Sequence, residues 1–157
     1  HFRSARINGT RLVSLQEENQ QLLQRLFAPD QLQPGHYLSV VDDGLEVHLH
    51  VLANHRYTQE LRLSYLLCDP VSGQPDPSAH IRTYRDAGLA DATHCYVGRR
   101  WQDVIGLEAP ARQIIGHRVR MNTFLGKWLV YLAGQGHGVD TLRAMGPDFQ
   151  HASPQRA

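Results

Sequence analysis

Residues 117–138, HRVRMNTFLGKWLVYLAGQGHG, carry the longest helical pattern in the chain. Met121, Leu125, Trp128 and Leu132 recur at helical spacing, and Phe124, Leu129 and Tyr131 widen the same stripe. Arg118, Arg120, Thr123, Lys127 and Val130 fall on the other side, and Gly134 or Gly136 offers the left-handed residue that ends a helix. A helix of roughly 16 residues is about 24 Å long, enough to cover one face of a small sheet. So wide an apolar stripe has to be buried, and the rest of the chain must supply the surface that buries it. His117, Asn122 and Lys127 form its polar shoulder, the part of this helix open to a functional role.

The middle of the chain supplies strands. Residues 36–41 run into Asp42-Asp43-Gly44, a tight-turn signal, and then into residues 45–52. In that second run Leu45, Val47, Leu49 and Val51 point one way, while Glu46, His48 and His50 point the other. A turn at Ala53-Asn54-His55 leads to residues 56–68, where Leu61, Leu63, Tyr65 and Leu67 alternate with Arg62, Ser64 and Leu66. Residues 69–78, DPVSGQPDPS, are a loop. Residues 80–85 and 89–97 flank a turn at Asp86-Ala87-Gly88. The stretch from Gly98 to Gly116 has no firm period, and residues 139–145 suggest one more helical turn.

Near the start, Ser14 and Glu17 read as a capping box opening an amphipathic helix that presents Leu15, Leu22, Leu26 and Phe27 and stops before Pro29. Residues 1–13 read as a flexible arm bearing Arg3, Arg6 and Arg11, residues 14–145 as one domain, and residues 146–157 as a disordered tail. Two helices enclosing about five consecutive strands predict an α+β fold, an antiparallel meander sheet packed by an N-terminal and a long C-terminal helix. The opposite sheet face is then partly wet, and function is sought there.

The charge balance, 16 Lys+Arg against 15 Asp+Glu, excludes a strongly basic nucleic-acid binder. No run approaches the length of a membrane span. Two cysteines, Cys68 and Cys95, without a short disulfide framework fit a reducing, cytoplasmic compartment. No nucleophile elbow, Walker loop, dinucleotide fingerprint, Cys-x-x-Cys or His-Glu-x-x-His is present, so the sequence leans away from an enzyme. His48 and His50 leave the same strand face, and a third donor such as His94 or Asp91 would be needed to hold a metal. That spacing arises on any alternating strand, so exposed sheet-face histidines are expected, with no metal and no cofactor. Arg56, Tyr57, Arg82, Tyr84 and Asp86 could instead gather as an anion site, because arginine offers a planar fork to phosphate or carboxylate. The rival reading is cross-strand pairing on a solvated face.

At Arg56-Tyr57-Thr58, at residues 82–87 (RTYRDA) and across residues 122–131 (NTFLGKWLVY), the chain resembles the YqiB-like family of short bacterial proteins. The resemblance covers roughly residues 15 to 138. It implies a single-domain, bacterial, cytoplasmic protein, and it supplies no activity, substrate or catalytic residue. The spacing between His117 and Asn122 departs from the family pattern. Within the matching stretches, Arg56, Tyr57, Arg82, Tyr84, Asp86 and Asn122 are residues a core does not ask for. They form the expected ligand-binding set if they converge where helix meets sheet; otherwise they form a buried network that locks the last helix down. The expected function is a non-enzymatic binding or regulatory module acting through a protein partner or a small anionic ligand, assembled as a homodimer. The alternatives are hydrolysis of a nucleotide or phosphoester, with Arg82 and His48 or His50 at the site, and nucleic-acid contact through the arginine-rich arm.

Overall fold

The structure is a computed structural model that describes residues 2–42, 44–65, 77–98 and 118–145. Cys68, the proline-rich stretch through residue 76, residues 99–117 with His117, and the tail from residue 146 lie outside the described residues. The elements, in chain order, are helix α1 (Phe2–Phe27), a short 3-10 turn (Pro29–Gln31), strands β1 (Gly35–Ser39), β2 (Val47–Asn54), β3 (Thr58–Tyr65), β4 (Ser78–Tyr84) and β5 (Leu89–Tyr96), helix α2 (Arg118–Gly134), a second 3-10 turn (Val139–Thr141) and strand β6 (Leu142–Met145). The strands make one open antiparallel sheet in the order β5-β4-β3-β2-β1-β6. The fold class is α+β, with six strands rather than about five.

Alternation along the strands assigns the two faces. Val47, Leu49 and Val51 of β2, Leu61, Leu63 and Tyr65 of β3, and Ala79 and Ile81 of β4 are all buried toward the helices. The stripe of α2 meets them: Trp128, Phe124, Leu125 and Leu132 are 0% exposed. Trp128 stacks on Phe124 with ring centroids 5.4 Å apart and meets Tyr65 edge-on at 5.6 Å, the two arrangements that the ring quadrupole favours. Leu23, Leu26 and Phe27 bring the end of α1 into the same core. The helices come close where Gly126 faces α1, since a Cβ there would lie 2.9 Å from Asn19 Oδ1.

Two local expectations are corrected. Helix α1 begins at Phe2, so Ser14 and Glu17 are interior residues and no capping box opens the helix there; the stretch assigned to an arm is helical. Residues 139–145 are a helical turn only in their first three residues. That 3-10 turn is followed by β6, which pairs along β1 from Ser39↔Leu142 to His36↔Met145. The physical reason is the edge of β1, whose backbone groups need partners. Thr141 Oγ1 accepts from Gly138 N–H at 2.9 Å and lies 2.6 Å from Ser39 Oγ, which itself lies 2.7 Å from Nδ1 of the buried His137. That chain of hydrogen bonds turns the polypeptide out of α2 and lays it beside β1. The opposite edge is met differently: Ala92 N–H of β5 donates to Asn122 Oδ1 of α2 at 2.8 Å.

Truncating the largest fully buried side chain leaves a cavity that a sheet on one side and a helix on the other cannot close. Trp128→Ala is expected to cost about 3–5 kcal/mol, measured as a lower urea midpoint at an unchanged slope of the transition. A loss below about 1 kcal/mol would contradict the packing described.

Candidate functional site

The sheet face turned away from the helices carries the even residues of β2 and β3, and antiparallel register aligns them into rows. One row runs across five strands. His36 of β1 is opposite His50 of β2, His50 is opposite Arg62 of β3, Arg62 is opposite His80 of β4, and His80 is opposite His94 of β5. The next row places His48 opposite Ser64. A bulge between Val51 and Ala53 and another after His80 shift the register on either side, so the row is a local feature of this part of the sheet.

Three of these histidines form a cluster. The donor nitrogens of His36, His48 and His50 all lie within 4.8 Å of one another. His36 Nε2 and His48 Nδ1 are 2.7 Å apart and share a hydrogen bond whose direction depends on the tautomer. Their rings are nearly coplanar, with centroids 4.9 Å apart and 17° between planes, so they meet edge to edge. His50 lies over His36 at 4.3 Å and 4°. His36 is buried and the other two are half-buried. Burial, the neighbouring histidines and the Arg62 guanidinium hold His36 and His50 down at about 4, and burial with Arg62 lowers His48. At neutral pH all three are neutral imidazoles, the form that offers a lone pair. His80 is also lowered, chiefly by burial.

Arg62 lies in the middle of the row. It makes no ion pair among the described residues, and its Nε is buried without a hydrogen-bond partner. At the β4–β5 end of the same face, Ser78, His80, His94, Cys95 and Tyr96 line a shallow hollow of about 470 Å³. The Cys95 thiol is pushed up to about 12 by burial and then by Asp91, so it is not a thiolate nucleophile. On the helical side, a groove of about 570 Å³ between α1 and α2 is lined by Leu15, Leu22, Gly126, Val130 and Tyr131, with Glu18 and Lys127 beside them.

The six residues expected to bind ligand divide into three settings. Arg56 and Tyr57 sit exposed in the β2–β3 turn, with the guanidinium 5.2 Å from the ring centroid. Arg82 and Tyr84 lie together on the far face of β4, where Arg82 is ion-paired to Glu60. Asp86 is exposed in the β4–β5 turn and accepts from Ala87 N–H. These two turns meet, because Arg85 N–H donates to Tyr57 O at 2.8 Å. Arg85, which nothing in the sequence singles out, clamps them by donating to His55 O and pairing with Asp30. Asn122 is elsewhere. It is 0% exposed, and its side chain donates to Asp91 Oδ1 and Arg118 O while accepting from Ala92 N–H. Gln16 of α1 donates to the same Asp91, and Asn19 donates to Asn122 O. Asn122 is thus part of a buried network that joins both helices to β5.

Neither third donor considered for a metal joins His48 and His50. Asp91 is committed to Gln16, Arg118 and Asn122. His94 is three strands from β2, roughly 14 Å away. The third imidazole comes from His36, which the sequence shows only as the first residue of a strand. The signal that finds it is register: a two-strand hairpin pairs His36 with His50 once the turn between them is placed.

The chain belongs to the family described as Protein of unknown function (DUF1249), whose family model matches residues 22–138. No curated protein and no solved structure matches it. Among the described residues, no helix is long and apolar enough to cross a membrane.

Two outcomes follow. Asn122→Ala strands buried polar groups on Asp91 and Ala92 and is expected to cost about 1–3 kcal/mol, read from denaturant unfolding. Unfolded histidines titrate near 6.5 and bind protons more tightly than the clustered ones, so lowering the pH favours the unfolded chain. The cluster's contribution is complete above about 6.5 and is lost as pH falls toward 4. The melting temperature should fall across that window, and His50→Gln should make the fall shallower. A profile unchanged by His50→Gln would show that the cluster does not titrate in this way.

Proposed function

We propose that this member of the family is a non-enzymatic binding module that takes a small anionic ligand, a phosphate or carboxylate, on the sheet face turned away from its helices. The observation that carries this reading is Arg62. Its Nε is buried with no acceptor, and no carboxylate pairs with it among the described residues. An unsatisfied buried donor costs about 1–3 kcal/mol, and an arriving anion supplies what it lacks. The imidazoles on both sides of Arg62 in the row add N–H donors without adding competing negative charge. Arg82, favoured from the sequence, is the poorer centre because Glu60 already neutralises it. Arg56, Tyr57, Tyr84 and Asp86 then lie toward one end of the same sheet, outside the centre of the site.

The bacterial cytoplasmic setting that the YqiB-like resemblance implies belongs to this proposal, as does assembly into a homodimer. The mostly apolar groove between α1 and α2, where Val130 is 57% exposed, is the surface that supports the latter.

Thermal unfolding with inorganic phosphate, sulfate, a dicarboxylate and a nucleotide panel tests the reading. A ligand at a hundred times its dissociation constant stabilises by about 2.7 kcal/mol. Arg62→Gln is expected to abolish that shift, and Arg56→Gln to leave it in place. Stabilisation that survives Arg62→Gln would place the anion elsewhere.

A further inference from the structure

We propose that His36, His48 and His50 hold one first-row transition-metal ion, and that the ion's remaining position is where the anion attracted by Arg62 binds. The inference rests on the binding-module reading above and names the chemistry of its site. The geometry carries it. Three imidazoles from two adjacent strands present nitrogen donors within 4.8 Å, in a sheet whose backbone fixes their Cα positions. Around a tetrahedral ion with bonds of about 2.0–2.1 Å, donors stand roughly 3.3 Å apart. His36 Nε2 and His48 Nδ1 begin at 2.7 Å, nearly in one plane, so an ion takes the place of the hydrogen they share with only a small outward movement. His50, stacked over His36, has to swing its ring edge inward. None of the three must lose a proton overall. Each neutral ring keeps one N–H, and the one that now shares its proton moves it to its other nitrogen.

Two features favour this over a structural role. The set is all imidazole, which suits zinc, copper, nickel or iron and not calcium or magnesium. The other histidines nearby do not repeat the arrangement: His80 and His94 meet edge to face at 6.1 Å and 82°, as an isolated pair. Three protein donors leave a fourth position open, the pattern of sites that bind or activate an exogenous group. His50 is opposite Arg62 in register, so an anion on that position lies within reach of the guanidinium.

The test uses the tag-free full chain, stripped with chelator, in phosphate-free buffer, titrated with cobalt(II) alone. The expected result is one equivalent bound, with the intense visible bands of a low-coordinate cobalt ion, displaced by zinc. His50→Gln weakens binding by at least about 100-fold, beyond the ~10–100-fold that loss of a supporting contact costs. His94→Gln leaves it unchanged. Added phosphate shifts the bands and tightens cobalt binding, and Arg62→Gln keeps the metal but loses that response, as linkage between two sites requires. In the unsubstituted chain, where no variant needs to fold, paramagnetic broadening centres on residues 36, 48 and 50. Absence of the bands, broadening centred on residues 80 and 94, or equal weakening by His94→Gln overturns the proposal. If cobalt fails to bind while phosphate still stabilises the chain through Arg62, the metal falls and the binding-module reading stands. If neither binds, both fall.

Discussion

The burial of Trp128 against the apolar residues that alternate along β2, β3 and β4 keeps one side of the sheet dry, with Tyr65 meeting its ring edge-on. Trp128 is fully buried, and the buried alternate positions of β2, β3 and β4 include Val47, Leu49, Val51, Leu61, Leu63 and Ile81. Because side chains alternate, slipping β2 by one residue would drive His48 and His50 into that core and expel Val47, Leu49 and Val51. Each of those three apolar residues contributes about 1.5–3 kcal/mol by leaving water, and a buried imidazole without partners costs a comparable amount. The two terms have the same sign, so the register is held from both faces. The histidine row is the other side of that constraint: it occupies the face that the helices leave free.

The second constraint is polar. Trp128 and Phe124 set the depth at which α2 sits, but apolar packing tolerates rotation and sliding. Asn122 does not. Its amide accepts from Ala92 N–H and donates to Asp91 and to Arg118 O, so its strong hydrogen-bonding capacity is spent at one position of the helix along β5. Gln16 and Asn19 tie α1 to the same groups. A fully satisfied buried network of this kind costs little in stability and selects one arrangement of two helices over its neighbours. It also closes an edge of the sheet, since Ala92 N–H on the outer side of β5 is otherwise open to pairing with another chain.

The parts of the fold legible in the sequence are those governed by period. The α2 stripe and the alternation of Leu45 to Val51 and Leu61 to Tyr65 give the elements, their type and the face each buries. Contacts between distant segments are not legible this way. Residues 139–145 look helical locally, yet only Val139–Thr141 make a 3-10 turn and the open edge of β1 recruits Leu142–Met145 as β6. Gln16 and Asn19 are polar residues that nothing in the sequence marks as interior, and contact with Asp91 and Asn122 buries them. The same limit governs the site. His48 and His50 announce a shared face by spacing alone, whereas His36 joins them through cross-strand register, and Arg62 through the next strand over. Asn122 was grouped with Arg82 and Tyr84 because all are polar within one set of matching stretches; the sheet then places them on opposite sides.

The position of Arg62 bears on what the cluster can hold. A unit charge and a dication on adjacent strands, roughly 5–8 Å apart, repel by roughly 4–7 kcal/mol at an effective dielectric of about 20. Three neutral imidazoles contribute no charge to offset it, and no carboxylate pairs with Arg62 among the described residues. Repulsion from Arg62 therefore lowers the affinity of the proposed site for a bare ion without abolishing it, and an anion bound beside the ion relieves that repulsion. Together they cancel. The ion supplies the second positive charge the anion needs, the anion screens the ion from Arg62, and each raises the affinity for the other by the same factor. In the proposed site, where no carboxylate pairs with Arg62 among the described residues, each ion binds alone and the two bind more tightly together.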